Sequence, residues 1–231
     1  GWQFVIHSQT HDQVGNRARG ERLTALVPQE ALKLAAGLVL TAPFVPLLFM
    51  GEEYGEKSPF LYFTSFEDKR LARAVREGRK KEFAKFHWEG EITDPQEPDT
   101  FFLSRIDLSL RNQPGHMGML EYYKKLIQLR KSHPALSGCD RKRMRLFRCD
   151  SELVLILERR DREERERCLI LASFSRGQVF LKLLKPEGLW KMLLSSYQAE
   201  FESYPCGPQE LTIGSGSGLL SLPSYFFGIY Q

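Results

Sequence analysis

Apolar and polar residues alternate along this chain in blocks whose texture changes at Pro134. Residues 2–8 form a short aromatic and β-branched run that begins without a helix-capping residue and breaks into the polar stretch 9–22, which predicts a strand feeding a loop. Pro28, followed by Gln29, Glu30 and Ala31, supplies a favourable first helical turn. Leu32, Ala35, Ala36, Val39 and Leu40 recur behind it at helical spacing, giving a helix of about three turns. Residues 44–50 are apolar on both faces, as a parallel strand covered on both sides requires, and Gly51 ends them.

From 52 to 115 the chain is rich in Pro, Gly, aromatics and charge, with helices predicted over 68–76 and 80–86. A connection this long reads as an elaborated loop of the kind that carries function. A further helix over 119–132, with Leu120, Tyr123, Leu126 and Ile127 on its apolar face, is stopped by Pro134. Beyond it, segments 144–147, 153–158, 168–173, 179–184, 191–195, 210–213 and 224–230 are short, β-prone and separated by turn-forming or charged residues. They predict a small antiparallel β-sandwich of roughly ninety residues. The order of elements is α/β followed by all-β, as in the last two units (about strands 7 and 8) of a TIM (β/α)8 barrel with an appended domain. The expected domains are 1–136, a partial barrel with a long loop after its last strand, and 137–231. A quarter of a barrel cannot close its sheet, so low stability of the segment on its own is expected.

A 42% hydrophobic content excludes a disordered chain. The longest apolar run, 37–51, is interrupted by Thr41, Pro43 and Pro46, so no membrane span or membrane partner is expected. The first residues lack the basic, apolar and small-residue regions of a signal peptide. Cys139, Cys149, Cys168 and Cys206 show no C-x-x-C spacing, which argues against a zinc site or a disulfide framework; reduced thiols and a cytoplasmic location are the expectation. A net charge of +4 gives no nucleic-acid footprint. The local basic run RKRMRLFR alternates Arg141, Arg143 and Arg145 as one solvated face of an edge strand does, and RRDREERERC reads as a charged hairpin tip. His7, His87, His116 and His133 have no ligand spacing, so neither a metal nor any other cofactor is expected.

Chemistry in barrel folds gathers where strands end, which directs attention to the residues just after Ser8. His11 and Asp12 stand there. An imidazole donor beside a carboxylate acceptor suits adjacent sugar hydroxyls, and a loop pair satisfying local backbone has the same composition. The longer string HDQVGNRARGERL, continued by PQEALKLAAGLVLTAPFVPLLFMGEEYGEKSPFLYFTSF, RKKEFAKF and TDPQEPDTFFLSRIDLSLR, resembles glycoside hydrolase family 13, the α-amylase superfamily. It is much like the branch of that family that hydrolyses maltooligosyl trehalose or introduces branches into glycogen. The resemblance covers residues 4 to about 134 and extends to the β module only loosely, through GLWKMLLSS.

The resemblance implies a retaining hydrolase that cleaves the α-1,4 bond next to the terminal trehalose of maltooligosyl trehalose or a related α-1,4-glucan. It assigns Asp12 as the catalytic carboxylate that stabilises the transition state through hydroxyls of the sugar, with His11, Gln13, Arg17 and Glu52 binding substrate. Thr10 stands where the family usually has Asn, which puts a support role at that position in question. Retaining cleavage also needs a carboxylate nucleophile and a carboxylic acid about 5 Å apart. The family carries these on strands that precede this segment, so the chain alone is expected to be inactive. Glu52 and Glu53 are adjacent and point in different directions, so they cannot face each other across one bond; hydrogen bonds to loop amides are their structural alternative, and Arg17 and Arg22 are candidate partners. Phe60, Tyr62 and Phe63 are read either as stacking platforms for glucose or as buried anchors. Two other readings stay open: a branching enzyme that transfers the glucan to a hydroxyl, and a non-catalytic carbohydrate-binding or structural remnant.

Overall fold

A computed structural model describes residues 1–85, 93–204 and 206–231, which group into two compact units. The first comprises residues 1–8, 28–47 and 111–231; the second, residues 9–27 and 48–110.

In the first unit two short strands, β1 (Val5–Ile6) and β2 (Val45–Pro46), pair in parallel with Val5 opposite Val45. The ladder is brief because Pro46 has no N–H to give; Val45 N donates to Phe4 O and Leu47 N to Ile6 O on either side of it. Both strands are therefore shorter than their apolar runs predict, and Val5 is 55% exposed. The helix between them is α3 (Gln29–Thr41), entered through Pro28 with Glu30 in its first turn, where a carboxylate meets the positive end of the helix dipole. Leu34, Ala36 and Leu40 are buried on its inner side. It packs on α6 (His116–Ser132) and on two strands of the sheet that follows. Helix α6 ends at Ser132 as predicted, and Pro134 opens the short α7 (Pro134–Ser137), whose first turn is capped by His133 Nδ1 accepting from Ala135 N.

The C-terminal part is antiparallel. Strands β3 (Met144–Cys149), β4 (Val154–Arg160), β5 (Arg167–Ser173), β7 (Gly188–Ser195), β8 (Glu210–Ile213) and β10 (Phe227–Tyr230) form one sheet in the order β3-β4-β5-β10-β7-β8. Strands β6 (Val179–Leu181) and β9 (Leu220–Leu222) form a separate two-stranded ribbon. Leu181, Leu183 and Leu222 share a core with Val154, Ile156, Leu169, Leu171, Trp190, Leu211 and Ile213 of the large sheet. Of the basic run only its later part lies on the edge strand β3: Arg145 is on the strand, while Arg141 and Arg143 stand in a 3-10 turn before it, because Asp140 caps that turn through Lys142 N; the charged run forms the β4–β5 hairpin, as read from the sequence.

Two arginines tie the end of α3 to its surroundings in this unit, one from α6 and one from the large sheet. Arg130 donates to the carbonyls of Leu40, Ala42 and Phe44, and Arg159 of β4 to those of Thr41, Leu136 and Gly138. Between them they satisfy the Leu40 and Thr41 carbonyls of the last turn of α3 and that of Ala42, its C-cap. Burial, then the neighbouring Arg130 charge, pulls the Arg159 guanidinium down to about 10.

The second unit carries the helices α1 (His11–Gly15), α2 (Leu23–Leu26), α4 (Lys69–Lys85) and α5 (Pro98–Leu103). Helix α4 runs unbroken where two helices are predicted. Gly78 lies within it with open space around its Cα, and a glycine there costs about 1 kcal/mol without forcing a break. The predicted end at Phe86 and the histidine at 87 lie outside the described residues.

Candidate functional site

Strand β1 is followed in the chain by Gln9 and Thr10, both buried, and then by α1. Thr10 is its N-cap: extended backbone (φ −141°) turns the side chain back so that Oγ1 accepts from Asp12 N at 3.2 Å. The same hydroxyl donates to Gln13 Oε1. A threonine at this position therefore supports the Asp12 backbone directly, whatever reach an asparagine amide has. His11 and Asp12 begin the helix with their side chains 69% and 75% exposed, and His11 Nε2 stands 3.4 Å from Asp12 Oδ1. Asp12 is thus an exposed acceptor beside a ring donor, its backbone N–H held by the Thr10 cap. That is the arrangement a pair binding adjacent hydroxyls needs.

Gln9 connects this segment to the loop that follows β2 in the chain. Its Oε1 accepts from Leu23 N at 3.1 Å and its Nε2 donates to Glu52 Oε2 at 3.3 Å. Glu52 is only 7% exposed and lies in the 3-10 turn Glu52–Tyr54, bracketed by Gly51 and Gly55 at positive φ (88° and 71°). Those backbone angles explain the two glycines of GEEYG. The structure places Glu52 in the interior as a partner of Gln9, not on an open surface.

The charges of Glu52 and Glu53 do act on Arg22, but the short polar contacts described for Arg17 and Arg22 lead elsewhere. Arg17 pairs with Glu21, one helical turn away in sequence, at 3.2 Å, because both side chains lie at the surface. Arg22 is buried; its Nε donates to Ser58 O and its Nη1 to Met50 O, both at 2.7 Å, and its guanidinium lies over the Phe49 ring at 4.7 Å. Burial lowers its pKa, partly offset by the charges of Glu56, Glu52 and Glu53.

Glu56 is the residue that sequence reasoning missed. It is fully buried and accepts from Lys57 N, Ser58 N, Asp107 N and the Tyr54 hydroxyl at 2.7–3.0 Å. Burial pushes its carboxyl up, but the hydrogen bonds from Ser58, Asp107 and Tyr54 outweigh this and leave it below the usual range. Burial and the same carboxylate raise the Tyr54 phenol. Asp107 itself is spent on a local turn, accepting from Ser109 N and Oγ.

The aromatic residues divide. Phe49, Phe60, Phe63 and Phe101 meet edge to face in a chain with centroids 5.3–5.9 Å apart, so Phe60 and Phe63 serve as anchors in one another's packing. Phe60 lies against Gly15 at the end of α1, and its backbone against Gly20. The Tyr62 ring carries the Arg79 guanidinium at 4.6 Å. Among the described residues no group of His, Cys, Asp and Glu is arranged to hold a metal, and no helix is long and apolar enough to cross a membrane.

With the fold and these contacts in place, comparison with known proteins defines a class. The chain superposes with a TM-score of 0.76 and 33% identity on a Salmonella typhimurium protein described as a candidate alpha amylase, covering 98% of this chain and 34% of that one. It resembles the α-amylase-type glycoside hydrolases of family 13 in both sequence and fold.

Within that class the likeness is to malto-oligosyltrehalose trehalohydrolase. The chain is 47% identical over 135 residues to the trehalohydrolase of Rhizobium sp. (strain M-11), a match spanning 58% of this chain and 23% of the relative. It is 44% identical over 142 residues to that of Saccharolobus solfataricus, spanning 62% and 23%. The chain thus spans about a quarter of the length of the curated relatives it matches. No family model matches it.

Proposed function

We propose that this chain supplies part of the sugar-binding side of a retaining α-glucan hydrolase that releases trehalose from maltooligosyl trehalose. In this reading residues 1–136 contribute about the seventh and eighth units of a (β/α)8 barrel, and residues 137–231 an appended β domain. Asp12 accepts hydrogen bonds from hydroxyls of the sugar undergoing cleavage, and these bonds strengthen as the ring becomes oxocarbenium-like. His11 donates to the same sugar, while Gln13 and Arg17 lie along the substrate path. Glu52 acts from the interior by holding Gln9 and, through it, the segment that begins α1. The reaction needs no cofactor, and the expected setting is the cytoplasm.

The observation that carries the reading is the 44–47% identity to proteins named trehalohydrolases, in a chain whose HDQVG segment forms a capped helix presenting an exposed Asp12. A nucleophile and a general acid must come from other polypeptide, since an enzyme deprived of such groups loses several orders of magnitude in rate. The purified 231-residue chain is therefore expected to release no trehalose from maltooligosyl trehalose. Joined to the preceding barrel of the Rhizobium relative, it is expected to restore release, and Asp12→Asn in that chimera to lower kcat at least about a hundredfold. Release by the chain alone, or an Asp12→Asn chimera of full activity, overturns the assignment. A product carrying a new branch in place of free trehalose identifies a transferase.

A further inference from the structure

Helix α1 has five residues, far below the length at which a helix holds itself together in water, yet it bears both His11 and Asp12. Its N-terminal end is fixed by Thr10. Its C-terminal end is met by Arg79, which stands 64 residues further along the chain on α4. Arg79 Nη2 donates to Gly15 O at 2.9 Å, and Nη1 donates to the side-chain oxygen of Asn16, the C-cap, at 3.3 Å.

The guanidinium plane is itself fixed. It lies over Tyr62 at 4.6 Å and over Phe83 at 4.8 Å, and the side chain is only 11% exposed. A stacked, always-charged fork with two directed donors can hold a carbonyl and an amide oxygen at a set angle, which a lysine ammonium cannot. The positive charge also faces the negative end of the helix.

We infer that Arg79 is a positioning residue that fixes the orientation of His11 and Asp12 by clamping the far end of their helix. It touches no substrate and acts through Gly15 and Asn16. The inference rests on the reading of Asp12 and His11 as sugar-binding groups, but its test needs no substrate, so failure of the clamp and failure of that reading register separately.

The 231-residue chain is prepared isotopically labelled as wild type, Arg79→Gln, Arg79→Lys and Arg73→Gln; Arg73 lies exposed on the same helix, paired with Glu77. The readouts are the Asp12 amide signal, the His11 imidazole signal, and exchange of the Val14 and Asn16 amides, which are bonded to Thr10 O and Asp12 O. Arg79→Gln is expected to displace both signals and speed those exchanges by about tenfold, with sheet amides unchanged. Arg79→Lys should recover part of the effect, added guanidinium ion should restore part of the Arg79→Gln loss, and Arg73→Gln should do nothing. Unmoved His11 and Asp12 signals in Arg79→Gln overturn the inference. So does an equal loss of protection throughout the β domain, which marks general destabilisation, and so does full recovery by lysine, which marks a charge effect without orientation.

Discussion

Two buried charges set what single substitutions and pH do to this chain. Glu56 satisfies three backbone amides and one phenol, so Glu56→Ala strands four donors in the interior and is expected to cost about 3 kcal/mol or more in a urea unfolding series. Because its folded pKa is depressed, its contribution is fully present above the unfolded carboxylate range and is lost as pH falls through the folded value. Glu56→Gln should flatten that acid limb. Lys33 has the opposite sign. Its ammonium is buried among Phe201 O and Ser203 Oγ, and burial pulls it down to about 8 from 10.5. Between those values the unfolded chain holds the extra proton, so the residue's destabilising share diminishes as pH rises through that window. Measured as the difference between wild type and Lys33→Met, stability should climb across it; a pH-independent difference contradicts the assignment.

At the scale of elements, α6 meets the turn between β7 and β8 through a close backbone approach. A Cβ on Gly118 would lie 2.7 Å from the Phe201 backbone, and the ring of Phe201 meets Tyr122 edge to face at 5.1 Å. Gly118→Ala must therefore shift a turn as well as a side chain, at a cost of roughly 1–3 kcal/mol by thermal unfolding. The seven β segments after Pro134 were legible because turn-forming residues punctuate their apolar runs. Strand β9 was not, since Leu220–Leu222 follows the run GSGSG and pairs with β6 outside the large sheet. The helix over 29–41 was likewise readable from local pattern, whereas the short helix bearing His11 and Asp12 was not, since residues 9–22 read as a loop. Glu56 and Arg79 were not, because Glu56 is held partly by Asp107, 51 residues away, and Arg79 meets Gly15 across 64 residues, and no periodicity announces such meetings.

For the whole molecule the relevant quantity is uncovered apolar surface. Trp2, Phe4 and Val5 are exposed in one unit, and Phe101, Phe102 and Leu103 in the other. Apolar exposure of this kind drives association, so sedimentation across a concentration series should show reversible self-association that mild detergent suppresses. A strictly monomeric chain at all concentrations contradicts this. One further property follows from the position of β10. Residues 227–230 enter between β5 and β7, at the middle of the large sheet, with Phe227, Ile229 and Tyr230 fully buried. During synthesis the sheet must wait, with two halves apart and their inner edges bare, until the ribosome delivers the strand that joins them. A stop codon just after Pro223 thus removes a keystone, not a tail.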